Sequence, residues 1–399
     1  SSSGNTYPEA TRIIKQQQAA GALIMDYAGH GDPTQMSHES VLKLTDFADF
    51  RNTNLPLWVT ASCDIMPFDG LEANIGEYAL LNDKGGAVAF YGTTRTVYAQ
   101  YNRHINRAFI HRVLSLVDGK PITIGEAHRL AQNDLVSGNG PTSGSDVTVN
   151  HLHYSLLGDP ALALNLPMHQ IVVDSINGIP VAGAATLPML KAGSIARMAG
   201  HIEGADDFRG VITATVRDSK ETVTCRLNDT GKDGAEKAFE YKDRTKTLYQ
   251  GTDSVRGGKF TFSFAVPLDI NYSNQSGLVN LYAVNTAKTL SAHGSSEQFT
   301  VGESEEQKND SIGPSIYCYL NSPSFVDGGN VNTTPFFVAK ITDKDGINAA
   351  GSGIGHDLQL VIDGDMSKTY VLNSNFIYDF GTYTSGSTYY SIPQLEPGK

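Results

Sequence analysis

The sequence predicts an α/β segment, with a partial parallel sheet and flanking helices, followed by all-β sandwich domains. Two observations lead to this fold class. Short apolar runs alternate with helical patterns over about the first 165 residues, as in crossover units on a mainly parallel sheet. Beyond residue 167 the strand patterns are short, alternate in polarity and are separated by turn residues, which is typical of a sandwich. The chain has 399 residues, 40% of them hydrophobic, enough for more than one core.

The α/β segment begins with a helix candidate at residues 7–18, where Pro8 lies in the first turn, a position that tolerates proline. Apolar runs that predict buried strands follow at residues 21–27, 55–62 and 86–91. Helical patterns lie between and after them, at residues 73–81, 102–116 and 122–135. Because three strands are few for such a sheet, we expect earlier strands upstream of Ser1. We expect the chain to be an internal piece of a longer protein.

The all-β part is divided by its composition. Strand candidates lie at residues 171–174, 196–202, 210–217, 259–266 and 278–285. Residues 303–313 are polar and charged, which predicts a linker, and further strand candidates follow at 335–342 and 358–362. We therefore predict four parts: an α/β domain at 1–168, an immunoglobulin-like sandwich at 169–302, a linker at 303–313, and a truncated second β domain at 314–399.

Composition and charge argue against several classes of protein. There are 30 Lys and Arg against 42 Asp and Glu, a net charge of −12, so a nucleic-acid backbone would be repelled. No apolar run approaches the ~18 residues that a membrane-spanning helix needs. The three cysteines, Cys63, Cys225 and Cys318, are widely separated, which fits neither a disulfide framework nor a zinc ribbon. We expect Cys225 and Cys318 to be buried in strands and inert.

Two reactive side chains directly follow neighbouring strands of the predicted sheet. His30 follows the first strand within Gly29–Asp32, and Cys63 follows the second. In an open α/β sheet ligands bind at the carboxyl ends of the strands, and imidazole can activate a thiol there as a nucleophile. The backbone N–H groups of Gly31 and Cys63 would then stabilise an acyl-transfer oxyanion. Taken alone, Cys63 could be an ordinary small buried residue, and His30 a polar or surface residue with its hydrogen bonds satisfied. Their joint placement at the ends of neighbouring strands favours a catalytic role.

The motifs around these residues resemble those of the gingipain-like (C25) family, in the caspase–gingipain superfamily of cysteine peptidases. They run in the family's order: GHGD at 29–32, ASC at 61–63, GEYALLNDKGGAVAFYGTTR at 76–95 and LLGDPAL at 156–162. Later segments are similar to those of a cell-surface sortase of type IX secretion in Bacteroidota: DINYSNQSGLVNLYA at 269–283, LNSPSFVDGGNVN at 320–332 and GIGHDLQLVID at 353–363.

This resemblance implies a caspase/gingipain-like fold in which Cys63 is the nucleophile and His30 the general base and acid. It implies an enzyme at the outer-membrane cell surface that removes C-terminal secretion domains from cargo proteins. The acyl group could pass to an amine on anionic lipopolysaccharide, and other secretion components would be partners. It implies no cofactor; it allows structural calcium but does not place it. The acidic residue that orients the histidine would lie upstream of Ser1, so the segment alone need not be active.

Other residues are weaker candidates. The loop after the third strand shares the active edge, so Thr94, Arg95 and Tyr98 could line a substrate groove, although Arg95 could equally be an ion-pair partner. His151 and His153 would share one face of an extended segment, but no third ligand candidate has a telling spacing, so we predict no metal site. The remaining candidates have structural explanations: core packing for Trp58, turns or caps for Asp64, Asp159 and residues 343–346, and a polar β loop for the glycines at 351–355.

Two alternatives to the sortase remain open. The chain could be a scaffold or binding protein of the secretion machinery that carries a catalytically silent α/β remnant, because about 230 of its residues form β segments without an evident catalytic cluster. It could also be a plain secreted endopeptidase with no transfer step, since a thioester accepts water as well as an amine.

Overall fold

The computed structural model of this chain describes residues 6–226, 237–305, 312–350 and 357–398. These residues divide into two compact units, one ending at Leu166 and the other beginning at Pro167. In the described part of the chain, no helix is both long enough and apolar enough to cross a membrane.

The first unit contains five α-helices among its described residues: α1 (Pro8–Ala20), α2 (Leu44–Asp49), α3 (Ile75–Leu81), α4 (Ala99–Val113) and α5 (Ile124–Ser137). Its strands are β1 (Ile24–Ala28), β2 (Gln35–Met36), β3 (Leu42–Lys43), β4 (Leu57–Ala61), β5 (Ala89–Thr93), β6 (Leu116–Val117), β7 (Lys120–Pro121) and β8 (Tyr154–Gly158). A short 3₁₀ helix at Val149–His153 precedes β8.

The main sheet of this unit has the order β1-β4-β5-β8. The first three strands are parallel, which confirms the α/β class, and β8 pairs antiparallel with β5. Sequence analysis missed β8, three of whose residues it assigned only to the LLGDPAL motif at 156–162. It also missed α2, because six residues are too few to show a helical period.

Helices cover both faces of the sheet. On one face α4 and α5 pack against Leu57, Val59, Ala89 and Tyr91. On the other, α2 and α3 pack against Trp58 and Phe90, which confirms Trp58 as a core residue at 2% exposure. Burial of each such side chain contributes about 1.5–3 kcal/mol, so the two cores hold the strand ends in place.

Local signals in the sequence set the helix ends. Asn74 caps α3 by accepting from the Glu77 N–H, and Thr123 caps α5 by accepting from the Glu126 N–H. At the other end of α5, Gly138 has the left-handed conformation that commonly ends a helix. These caps place α3 and α5 within a few residues of the predicted helices.

The second unit is all-β apart from two short 3₁₀ turns in its described residues. Its first strands are β9 (His169–Ile176), β10 (Ile179–Pro180), β11 (Met189–Ala192), β12 (Ile195–Ile202), β13 (Gly210–Arg217), β14 (Glu221–Thr224), β15 (Glu240–Asp243), β16 (Thr247–Arg256), β17 (Lys259–Ala265), β18 (Gln275–Ser276), β19 (Leu278–Asn285), β20 (Ser291–Ser296) and β21 (Thr300–Ser304). The later strands are β22 (Ser315–Leu320), β23 (Phe336–Thr342), β24 (Gln359–Val361), β25 (Thr369–Val371), β26 (Ile377–Tyr378) and β27 (Ser385–Ser391).

Eight strands of this unit form one sheet in the order β10-β9-β12-β17-β16-β13-β19-β20. The sheet closes on itself because β20 also pairs with β9, and the apolar residues of its alternating strands form the core inside. Ile341, Ile347 and Tyr378, from the later strands, belong to the same core. The domain division proposed from the sequence stays a prediction, and residues 306–311 of the proposed linker lie outside the described residues.

One sequence prediction is wrong in this unit. Cys225 and Cys318 are exposed rather than buried, since Cys225 follows β14 and Cys318 lies on β22, a strand open to solvent on both faces. Residues 343–346 form the predicted turn, closed by the Gly346 N–H donating to the Asp343 carbonyl. The glycine-rich segment at 351–355 lies outside the described residues.

Candidate active site

The two candidate catalytic residues leave the sheet at one edge. Strand β1 pairs with β4 so that Ala28 lies opposite Ala61, and His30 and Cys63 each follow two residues later. The Gly29 N–H donates to the Ala61 carbonyl at 3.2 Å, so the pairing continues past the strand ends. Because neighbouring strands lie ~4.8 Å apart, the two loops border the same space.

Gly31 allows the histidine loop to approach the cysteine loop closely. A Cβ atom at this position would lie 2.4 Å from the Ser62 Oγ and 3.1 Å from the Ile65 side chain. A larger residue would therefore push the two loops apart. Across the described residues, no acceptor pairs with the backbone N–H of Gly31 or with that of Cys63. Both groups are available as the predicted oxyanion donors.

The His30 side chain is exposed, whereas its backbone carbonyl is fixed by two hydrogen bonds. Its carbonyl accepts from the Ser37 N–H at 2.7 Å and from the Tyr27 hydroxyl at 2.6 Å. Its ring stacks on that of His38, with ring centroids 4.9 Å apart and planes 13° from parallel. This stacking limits the rotation of the His30 imidazole. Sequence analysis did not single out His38.

Cys63 is half-buried, and its thiol donates to the Val97 carbonyl at 3.4 Å. No hydrogen bond joins this thiol to His30 among the residues that the structure describes. Transfer of the thiol proton to His30 would require the thiol to turn away from Val97, and catalytic hydrogen bonds are often long before substrate binds. The catalytic roles of the two residues therefore stay predictions.

The segment that carries Cys63 is tied to the end of β5. The Thr93 hydroxyl donates to the Ser62 carbonyl, and the Met66 N–H donates to the Thr93 carbonyl at 3.0 Å. The Asp64 N–H donates to the Arg95 carbonyl at 3.2 Å. Asp64 adopts a left-handed conformation, with a φ of 44°, and its carboxylate accepts from the Thr96 hydroxyl. These bonds fix the backbone on both sides of the thiol.

The three weaker candidates on this edge differ in their surroundings. The Thr94 N–H and hydroxyl both donate to the His153 carbonyl, at 2.9 and 3.2 Å. Arg95 forms a two-point ion pair with Asp69, whose hydrogen bonds raise the pKa of the guanidinium and lower the pKa of the carboxyl. Tyr98 is 72% exposed, so of the three it has the side chain most accessible to a substrate. Their substrate-binding role stays a prediction.

A buried phenol lies near the candidate nucleophile. Tyr154, at the start of β8, is 2% exposed, and its hydroxyl has no hydrogen-bond partner among the described residues. Burial raises the pKa of Tyr154 far above its usual range, and the negative charge of an ionised Cys63 raises it further. Tyr154 therefore remains a neutral phenol close to any thiolate. Sequence analysis did not single out Tyr154, because it did not predict strand β8.

The described residues contain no group of three or more His, Cys, Asp or Glu side chains that could hold a metal ion. His151 and His153 lie in a 3₁₀ turn instead of an extended strand. His151 is buried, with its Nδ1 3.8 Å from Asp146, whereas the His153 Nδ1 lies 3.2 Å from the Thr96 carbonyl oxygen.

The first unit matches the model of a known peptidase family over nearly all of its length. The model of Peptidase family C25 matches residues 1–165. Over these residues the chain is similar to the peptidases of family C25. The resemblance drawn from the four motifs is thus confirmed for the first unit. No curated protein sequence matches the chain.

Several solved structures are similar to this chain. Dimeric latent PorU from Porphyromonas gingivalis is 34% identical over 79% of this chain, with a TM-score of 0.41. The Arg-specific cysteine proteinase gingipain R (RgpB) is 16% identical over 75% of this chain and 57% of its own, with a TM-score of 0.34. The P. gingivalis RgpB pro- and mature-domain complex is 15% identical over 75% of this chain and 58% of that chain, with a TM-score of 0.35. The present chain spans only 29% of latent PorU.

Proposed function

We propose that this chain is part of a gingipain-like cysteine peptidase in which Cys63 is the nucleophile and His30 the general base and acid. The observation that carries the proposal is the register of β1 and β4, which places both residues two positions beyond a directly paired Ala28 and Ala61. The C25 match covers this whole unit and supports the same assignment.

The chemistry begins when His30 accepts the Cys63 proton and the thiolate attacks a peptide carbonyl, forming a C–S bond. The oxyanion that results would accept from the N–H groups of Gly31 and Cys63. As the C–N bond breaks, His30 returns the proton to the leaving amine, and a thioester remains on Cys63. Water then releases a carboxylic acid, or an amine takes the acyl group and forms an amide.

We further propose that the reaction is the sortase type. The enzyme would remove C-terminal secretion domains from cargo at the outer-membrane surface of Bacteroidota and pass the acyl group to an amine, such as one on anionic lipopolysaccharide. The later segments that resemble a type IX secretion sortase support this reading, as does the 34% identity to latent PorU. Other components of that secretion system would be its partners.

Alkylation of Cys63 tests the catalytic pair. The chain is treated with iodoacetamide near neutral pH and each cysteine is followed by peptide mass spectrometry, because Cys225 and Cys318 are exposed and will also react. We expect Cys63 to react at least about tenfold faster than these two internal references, and His30→Ala to remove the difference. His111→Ala, an exposed position on α4, is the matched control. Since the acidic partner of His30 is predicted upstream of Ser1, the measurement is repeated with the natural upstream sequence present.

Equal reactivity of the three cysteines in that longer protein, unchanged by His30→Ala, would exclude the catalytic pair. Normal cargo processing by a Cys63→Ala variant would favour the silent scaffold, for which the thiol bonded to Val97 rather than His30 is the supporting observation. Mass spectrometry of the product C-terminus separates the two enzymes. A free carboxylate indicates the plain endopeptidase, and an added amine indicates the sortase.

A further inference from the structure

A shallow hollow lies on the outer face of the closed sheet in the second unit. It spans strands β9, β12, β17 and β16 and has a volume of about 710 Å³. Its lining includes Asp174, Ser175, Ser254, Arg256, Lys259 and Thr261. None of the sequence motifs discussed above includes these residues, so the hollow is independent of the C25 unit.

Three basic residues lie side by side across the strands of this hollow. In the pairing of β16 with β17, Arg256 lies directly opposite Lys259, and in that of β17 with β12, Lys259 lies directly opposite His201. Directly opposite residues share one face of a sheet, and Val255 and Phe260 next to them face the core, at 1% and 5% exposure. Arg256, Lys259 and His201 therefore form a basic row on the outer face.

The described residues do not balance the charges of the basic row. Like charges directly opposite one another destabilise a sheet. Neither Arg256 nor Lys259 has an ion pair or a side-chain hydrogen bond among the described residues, although the chain carries a net charge of −12. The nearby Asp174 is already engaged, with both its oxygens 2.9 Å from the His201 Nδ1. The row thus keeps two free cations, which an anionic ligand could neutralise.

The surroundings of the row indicate the kind of anion. An arginine fork and a lysine ammonium are the usual partners of phosphate oxygens. The Thr261 side chain lies in the same hollow, where its hydroxyl can donate to another oxygen, whereas the Ser254 hydroxyl already donates to Asp253. Strand β12 is paired on both sides, with β9 and with β17, so it offers no free edge to which a peptide could add as a further strand. The Phe260 ring beside the row faces the core and is buried, which leaves it unavailable for stacking on a base.

We propose that this hollow binds a phosphate-ester group, held by Arg256 and Lys259 with the neighbouring Thr261 hydroxyl. The group could come from free phosphate, from a sugar phosphate or from a phosphate-bearing polymer, and all three present the same oxygens. The proposal does not depend on peptidase activity, because it rests only on residues of the second unit.

Titration calorimetry of the whole chain at low salt tests the proposal. The probes are inorganic phosphate, glucose 6-phosphate, tripolyphosphate and, as a different class of anion, a poly-glutamate peptide. We expect tripolyphosphate to bind, and the double variant Arg256→Gln/Lys259→Gln to bind it at least about tenfold more weakly. Lys242→Gln is the control, since Lys242 is an exposed strand residue of the same unit outside the hollow. Unchanged melting temperatures would show that the variants are folded.

The pattern across probes identifies the source. Equal affinity per phosphate for all three phosphate probes indicates the free ion, and a preference for the sugar phosphate or for tripolyphosphate indicates an ester or a polymer. Three results would overturn the proposal: no phosphate probe binds at millimolar concentration, the double variant binds like the parent chain, or poly-glutamate binds as tightly as tripolyphosphate through the same residues. The last result would assign the row to an acidic protein.

Discussion

Gly86 shows how much one residue contributes to the first unit. It lies just before β5 with a φ of +88°, and a Cβ there would lie 2.1 Å from the Ala79 carbonyl oxygen. Its N–H donates to Asn52 at 2.9 Å, and its carbonyl accepts from the side chains of Asn52 and Gln18. One glycine thus joins three separate parts of the chain at the start of a central strand.

Replacement of this glycine should be costly. We expect Gly86→Ala to lower the free energy of unfolding by about 3 kcal/mol or more, because a strained backbone and a steric overlap with Ala79 add together. Gly119→Ala is the matched control: its φ is +71°, but nothing lies within 4 Å of the added Cβ, so we expect a loss of only about 1 kcal/mol. Urea unfolding, followed by fluorescence of Trp58, the single tryptophan, measures both. Similar losses in the two variants would contradict the steric argument.

Residue-scale features were predicted unevenly from the sequence. The burial of Trp58 was correct because it lies within an apolar run, a purely local signal. The burial of Cys225 and Cys318 was wrong, because exposure depends on which strand neighbours another, and neither position has a covering layer among the described residues. His38 was missed for the same reason, since its stacking on His30 depends on how the β2–β3 turn folds back.

At the scale of elements, an ion pair joins the two helices on one face of the C25 sheet. Arg112 on α4 donates twice to Asp134 on α5, at 2.7 and 2.6 Å. The carboxylate is 12% exposed, and its hydrogen bonds raise the pKa of the Arg112 guanidinium. A two-point, partly buried pair of this kind holds helices together more strongly than a surface pair.

We expect Asp134→Asn to lower the free energy of unfolding of the first unit by about 1–3 kcal/mol, since one charge and one of the two bonds are lost. Glu126→Gln on the same helix is the control, because the Glu126–Arg129 pair is exposed and should contribute at most about 0.5 kcal/mol. Trp58 fluorescence during urea unfolding again reports the change. Equal effects of the two substitutions would show that the α4–α5 pair is no stronger than a surface pair.

The elements themselves were largely predictable. Strands β1, β4 and β5 and helices α3, α4 and α5 agree with local apolar patterns, caps and glycine signals. Strand β8 and helix α2 did not stand out, because they are short and owe their conformation to neighbours: β8 to pairing with β5, and α2 to burial of Phe47 beneath the sheet. Local signals are weakest where tertiary contacts decide the conformation.

At the scale of the whole molecule, buried charge links stability to pH. Asp218, at the end of β13, is fully buried; burial raises its pKa above the usual 3.8, although N–H groups of Asn271 and Ser219 donate to it. The folded state therefore holds a proton on Asp218 at pH values where the unfolded state does not. The stability due to this group is fully present below about pH 3.8 and is lost as the pH rises through its folded pKa.

The difference in stability between the parent chain and Asp218→Asn should therefore decrease as the pH rises from 3.8 through the folded pKa of Asp218, then stay level. Asp365→Asn is a control for which the stability difference should change with pH in the opposite direction. A hydrogen bond from Ser367 lowers the pKa of Asp365, so its contribution is present above pH 3.8 and is lost as the pH falls further. Thermal unfolding by near-ultraviolet circular dichroism across this range measures both. Parallel curves for parent and Asp218→Asn would contradict the prediction.

The sequence by itself determined the α/β and all-β classes, the order of the main strands and helices, the similarity to the C25 family and the two residues placed at one sheet edge. Those properties depend on apolar runs, turns and motifs, each of which is a pattern within a short, contiguous stretch of the sequence. Only the tertiary structure decided that the Cys63 thiol donates to Val97, that Tyr154 lies buried nearby, and that three basic residues share one row. These contacts join positions far apart in the chain, so strand register and loop packing, rather than local pattern, determine them.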